Sequence, residues 1–170
     1  MPERILRAYA ASLDPATGLY DGHTIRLRMV EELTRARRYG YPVSLIFVTL
    51  PSSDVKFAED HVRQLAELLE RHVRTADILA RCDHDTLVLV LPHTDEEGAR
   101  RLGERVYELA TVMQLPAGLG GRPATVHVGI TTVPANHDAE VAAVAEMLWE
   151  KLCGVAGAKR AHFAFVPLTT

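Results

Sequence analysis

The chain has 170 residues, the length of one domain. Its 19 Lys and Arg against 22 Asp and Glu leave a formal net charge of −3, which gives no pull towards a polyanion and disfavours bulk nucleic-acid binding. A hydrophobic content of 48% excludes a disordered chain, no apolar run approaches the ~18 residues of a membrane span, and the start MPERILRAYAASLD lacks the basic and apolar runs of a signal peptide.

In chain order, Ile5, Leu6, Tyr9 and Ala10 recur at helical spacing and predict a first helix. Pro15 disfavours helix at the residue before it, so this helix ends near Leu13. By itself this helix reads as a plain surface helix packed on its own domain. After a loop with Gly18 and Gly22, Ile25, Met29, Leu33 and Ala36 predict a helix from Gly22 to Tyr39 with its arginines solvated. The run Val43 to Leu50 predicts a central strand. A helix follows over Glu59 to Val73, then short strands at Ile78–Ala80 and Leu87–Leu91, with Arg81 to Thr86 between them as a hairpin tip. Asp95 is a good N-cap for a helix to Met113, Ala124–Thr132 reads as a strand, Asp138–Leu152 as a helix and Phe163–Val166 as a last strand. This order describes one α+β domain with a mixed sheet covered by helices. The two cysteines, Cys82 and Cys153, read as thiols of a cytoplasmic protein rather than as a disulfide framework.

Several segments line up with one family. Asp14-Pro15-Ala16-Thr17-Gly18-Leu19-Tyr20 resembles the D-x-L-T-G-L-x-N-R opening of GGDEF domains, the diguanylate cyclases, and Arg35 to Pro42 resembles their R-A-x-R-x-x-x-P stretch. Arg74-Thr75-Ala76-Asp77 with Arg81 resembles the R-x-x-D-x-x-x-R that leads into the signature hairpin. Leu89 to Asp95, Gly103-Glu104-Arg105 and Thr125 to Ile130 resemble the L-L-P-x-T, A-E-R and T-x-S-x-G-I segments. The resemblance covers about residues 14–165. It implies a nucleotide-cyclase-like palm with a ferredoxin-like core, a place in cyclic di-GMP signalling, and a sensory or effector domain elsewhere in the protein, with residues 1–13 as a linker helix at the end of a connecting coil and residues 14–170 as a degenerate GGDEF domain.

The resemblance also implies where the family's chemistry would sit. Phosphoryl transfer from GTP suits two metal ions on acidic ligands, and magnesium prefers hard carboxylate oxygens. Here Thr49 stands at the family's strand-end Asp position, and Pro51 where a second Asp is often found. The signature G-G-[DE]-E-F aligns with Asp83-His84-Asp85-Thr86-Leu87, so the third position keeps an acid and the metal-ligand position is Thr86. Asp83 and His84 replace the two glycines that let the backbone approach substrate, and this stretch reads as a solvated polar hairpin tip. The segment from Thr49 to Asp77 is shorter than in the family and lacks its guanine-reading Asn and G-H-x-x-G-D. Lys151 is one place early for the phosphate-binding lysine. The expectation is a degenerate domain with no catalytic residues, no metal and no cofactor. The alternative is an active cyclase that holds Mg²⁺ with unusual ligands such as Asp54 or Asp85.

One site matches the family throughout. Its inhibitory site binds product with the Arg and Asp of R-x-x-D and an Arg on the following helix, and these match Arg74, Asp77 and Arg105. Arginine pairs bidentately with phosphate or a guanine edge, and a carboxylate accepts from guanine N–H groups. The bland reading of the same residues is a local Arg74–Asp77 ion pair closing a helix end, with Arg105 on the surface. Cyclic di-GMP, an attached sensory or effector domain and a second copy of the chain are the expected partners. The eight histidines are scattered, and Cys82, Asp83, His84 and Asp85 are too local for a soft-metal site, which usually draws ligands from distant segments. Gly118 to Gly121 precede a strand, not a helix, and read as a flexible loop rather than a phosphate cradle.

Overall fold

A computed structural model describes residues 13–50, 55–113, 126–137, 140–157 and 163–165. Of the expected linker helix over 1–13 only Leu13 is among them, and Pro51 and Asp54 lie outside. Helix α1 spans Gly22–Tyr39. Asp21 caps it, its carboxylate accepting from the Thr24 N–H at 2.8 Å, and Gly40 ends it with φ +71°, a left-handed conformation in which Cβ costs energy. At the other end the α1 backbone lies so close to the hairpin that a Cβ on Gly22 would stand 2.9 Å from the Cys82 carbonyl oxygen. Strand β1 is Val43–Thr49, and all seven of its residues are buried. Helix α2 spans Val55–Glu70, β2 Ile78–Asp83 and β3 Thr86–Pro92. Then come α3 over Glu96–Val112, β4 over His127–Val133, α4 over Val141–Gly157 and β5 over Phe163–Phe165.

The five strands form one sheet in the order β2-β3-β1-β4-β5. The first four pair antiparallel and β5 joins β4 in parallel, so the sheet is mixed, as the sequence predicts. Alternation along β1 divides the core between the two faces of the sheet. Ile46, Val48 and Leu50 belong to a cluster with Val62, Leu65 and Leu69 of α2 and Ala99 and Val106 of α3. Leu45 and Phe47 belong to a second cluster with Ile25, Met29 and Leu33 of α1 and Val144 and Leu148 of α4. Each helix pair covers one face, which explains why β1 is apolar at nearly every position. No helix among the described residues is long and apolar enough to cross a membrane.

Several boundaries depart from the sequence expectation; among them, α2 ends at Glu70 rather than Val73, and α4 spans Val141–Gly157 rather than Asp138–Leu152. Helix α2 begins four residues earlier, at Val55. The described part of β4 begins at His127, and residues 124–125 lie outside the described set. The hairpin between β2 and β3 is far tighter than Arg81 to Thr86: only His84 and Asp85 form the turn. Arg81, Cys82 and Asp83 extend β2, with a register shift between Arg81 and Asp83, and Thr86 opens β3 as a buried strand residue. Edge-strand backbone pairing accommodates polar side chains, so a polar stretch here is no barrier to strand formation.

Candidate functional site

Register places the two family metal positions face to face. Thr49 ends β1 directly opposite Thr86 on β3, with His127 of β4 on its other side. Both threonines are only 3% exposed, and their Oγ1 atoms lie 3.1 Å apart. Thr86 Oγ1 also lies 3.0 Å from Asp85 Oδ1 and donates to it. Because a carboxylate only accepts, the single Thr86 proton goes to Asp85, and Thr49 donates to Thr86. The backbone closes the same corner, the Leu50 N–H donating to the Asp85 carbonyl at 2.9 Å. Two neutral hydroxyls that satisfy each other are poor partners for Mg²⁺, which takes carboxylates, carbonyls and water. Among the described residues, this hydroxyl pair therefore does not supply the two carboxylates that the resemblance expects to hold magnesium.

The hairpin tip is held from its own base. Arg81, whose side chain is 10% exposed, donates to the His84 carbonyl at 2.7 Å and through Nε to the Asp83 carbonyl at 3.2 Å. Its Nη1 also meets Asp14 at 3.4 Å and Glu59 at 3.6 Å. Asp14 accepts the Thr17 N–H at 2.9 Å and the Thr17 hydroxyl at 2.6 Å, so the loop before α1 is fastened to the hairpin. Burial alone would raise the Asp14 carboxyl, but the Thr17 hydrogen bonds and the Arg81 charge outweigh it and hold it below the usual carboxylate range. At the tip, His84 Nδ1 lies 3.0 Å from Asp83 Oδ1 and Nε2 lies 3.6 Å from Asp85 Oδ2. The Asp83 hydrogen bond pushes the imidazole above its ordinary range, and the same bond holds Asp83 below its own. Asp83, His84 and Asp85 offer ligand atoms within 4.8 Å of one another, but they are consecutive and already paired among themselves. Asp83 and His84 are exposed, and Leu87 is wholly buried in the core.

The three residues of the inhibitory-type match lie together on the wall of one cleft of about 390 Å³. The turn after α2 supplies Arg74 and Asp77, and α3 supplies Arg105. Asp77 accepts the backbone N–H of Arg74 at 2.7 Å, and its own N–H donates to the Arg74 carbonyl at 3.0 Å. The turn is thus closed by the Arg74 backbone, not by an Arg74–Asp77 ion pair. Among the described residues neither the Arg74 nor the Arg105 guanidinium forms an ion pair or hydrogen bond. Burial raises the Asp77 carboxyl, partly offset by the Arg74 N–H and charge. His72 and Arg101 line the same cleft, and no family motif points to either. Their part in it depends on how α3 packs against the chain after α2, which sequence spacing does not reveal.

Comparison with known proteins decides the lineage. Residues 11–148 match the model of the GGDEF domain, described as diguanylate cyclase. The chain belongs to the GGDEF family. It is 30% identical over 139 residues to the diguanylate cyclase DgcP of Pseudomonas aeruginosa, covering 76% of this chain and 20% of DgcP. The chain therefore spans a fifth of that relative's length. Solved structures share the fold at lower identity. Diguanylate cyclase SiaD of P. aeruginosa, in complex with its activator SiaC, superposes with a TM-score of 0.73 at 20% identity, over 96% of this chain and 66% of SiaD. The FimX GGDEF domain, also from P. aeruginosa, gives 0.73 at 17% identity, over 92% and 98%. The GGDEF domain of DgcB from Caulobacter crescentus, in complex with c-di-GMP, gives 0.71 at 15% identity, over 91% and 93%.

Proposed function

We propose that this chain is a GGDEF domain that does not cyclise GTP and instead binds cyclic di-GMP at Arg74, Asp77 and Arg105, as the receptor or relay part of a larger cytoplasmic signalling protein. The observation that carries the binding half is the cleft itself. Two guanidiniums without ion partners face a carboxylate whose hydrogen bond to the Arg74 backbone leaves further acceptor capacity. That donor and acceptor set suits a phosphate diester beside a guanine edge. The complex of the DgcB GGDEF domain with c-di-GMP supports the ligand class. The hydroxyl pair of Thr49 and Thr86 supports the inactive half, and among the described residues the acid that meets it, Asp85, already accepts from Thr86. DgcP is about five times longer than the matched segment, which supports an attached sensory or effector module.

The test has two arms. GTP with magnesium or manganese should yield no cyclic di-GMP above a no-protein blank; turnover that vanishes in Asp85→Ala overturns the inactive reading. Cyclic di-GMP should raise the melting temperature, because a ligand that binds only the folded state stabilises it by mass action. Arg74→Ala should abolish that rise by removing a charge-assisted contact of about 1.5–3 kcal/mol. A rise that survives Arg74→Ala places the ligand elsewhere, and no rise at all leaves dimerisation or relay as the role.

A further inference from the structure

The cleft is larger in chemistry than the three residues that define it. Arg101 and Arg105 stand one helical turn apart on α3 and line the same wall, so both guanidiniums serve one cavity. Arg101 has one partner in range, Glu97 Oε1 at a loose 3.8 Å, and its side chain is 70% exposed. The neighbouring Arg100 is the opposite case. It is saturated by Glu97 at 2.7 Å and Glu104 at 2.9 Å, and it does not line the cleft. Glu97 is thus engaged by Arg100, which leaves Arg101 with unused donors at the rim.

His72, in the chain after α2, lines the same cleft. Its Nδ1 lies 2.7 Å from the Leu68 carbonyl oxygen in the last turn of α2. A carbonyl cannot donate, so Nδ1 carries the proton and the neutral ring keeps its lone pair on Nε2. The helix end therefore fixes the tautomer. The half-buried ring thus carries its acceptor nitrogen in a cleft that it lines together with Asp77 and whose other polar side chains are chiefly arginines.

We propose that Arg101 and His72 complete this ligand site, Arg101 as a second contact for a phosphate oxygen and His72, through Nε2, as an acceptor for a guanine N–H. This rests on the reading that the cleft binds cyclic di-GMP. It adds two specificity-determining residues beyond the Arg74–Asp77–Arg105 set. The chemistry divides the work: arginines contact anionic oxygens, while Asp77 and His72 provide the two acceptors that the guanine N1–H and N2–H edge requires. Adenine has no such pair of donors, so the acceptors also discriminate between purines.

The experiment is calorimetric titration of the full chain with cyclic di-GMP and, separately, cyclic di-AMP, at low and moderate salt. Arg101→Ala should weaken cyclic di-GMP about three- to tenfold, as one partly solvated charge-assisted contact would, and should make binding less salt-dependent. Arg37→Ala, an equal change of charge on an exposed side chain of α1 that does not line the cleft, should leave affinity and salt dependence unchanged. His72→Asn keeps a donor near the position of Nδ1 and removes Nε2. It should narrow the preference for cyclic di-GMP over cyclic di-AMP while leaving the melting temperature within a few degrees. If the unsubstituted chain binds neither dinucleotide, this inference and the reading beneath it both fail. If it binds cyclic di-GMP but Arg101→Ala matches Arg37→Ala and His72→Asn keeps the full purine preference, this inference alone is overturned.

Discussion

Replacing Thr86 by Val tests whether the Thr49–Thr86–Asp85 corner is a structural hydrogen-bond unit. Valine keeps the shape and branching of threonine at a position 3% exposed, so packing changes little. It removes the bond to Asp85 at 3.0 Å and strands the buried Thr49 hydroxyl, whose hydrogen-bond partner at 3.1 Å is Thr86. A stranded buried hydroxyl costs about 1–3 kcal/mol, and at roughly 2–4 °C per kcal/mol for a domain of this size the melting temperature should fall by about 2–12 °C. Thr49→Val should cost less, because Thr86 keeps its Asp85 acceptor. The double variant Thr49→Val with Thr86→Val should cost less than the two singles together, since no hydroxyl is then left without a partner. Denaturant unfolding of the four proteins closes the double-mutant cycle, and a coupling of about 0.5–1.5 kcal/mol is expected. Strict additivity would refute the hydroxyl pairing and with it the physical reason why Mg²⁺ does not suit this corner.

Other consequences are as direct. Leu45→Asp puts an unpaired charge at a site of zero exposure in the central strand and should leave the domain unfolded by circular dichroism at 25 °C. Burial and the hydrogen bond to Glu32, accepted at 2.7 Å, push the Tyr41 phenol up to about 12, so ultraviolet titration should show one tyrosine ionising well after the others. Tyr41→Phe should abolish that late step and destabilise the fold by about 1–3 kcal/mol, by taking one partner from the buried Glu32 carboxylate. His84 carries a raised imidazole, so its small contribution to stability is fully present below the unfolded value near 6.5 and is lost as pH rises through the folded one. Nuclear magnetic resonance should place the His84 midpoint above that ordinary value, and Asp83→Asn should move it down; an unchanged midpoint would show that Asp83 is not the cause.

Much of this fold can be read from residue spacing, because a strand buried on both faces has to be apolar throughout and a helix covering one face has to repeat every three or four residues. Val43 to Leu50 and Ile25 to Ala36 show these two signatures plainly. The hairpin is less legible. Arg81, Cys82 and Asp83 resemble loop residues, yet backbone pairing with β3 holds them in an edge strand. Glu32 gives no sign of burial either. With Arg35 three residues on it reads as a solvated helix pair, but the ion pair with Arg35 and the Tyr41 hydroxyl together satisfy it against the core. The same limit applies at the cleft. The R-x-x-D spacing marks Arg74 and Asp77, whereas His72 and Arg101 become site residues only once α3 is packed beside the turn after α2.

The central claim is a GGDEF domain that binds the family's product without making it. Calorimetric titration of the full chain with cyclic di-GMP, in magnesium-containing buffer at low salt, tests it most directly when run beside an identical titration with GTP. The account predicts a saturable heat for cyclic di-GMP that disappears in Arg74→Ala, and no heat for GTP. Saturable GTP binding together with no heat from cyclic di-GMP at near-millimolar concentration would contradict it.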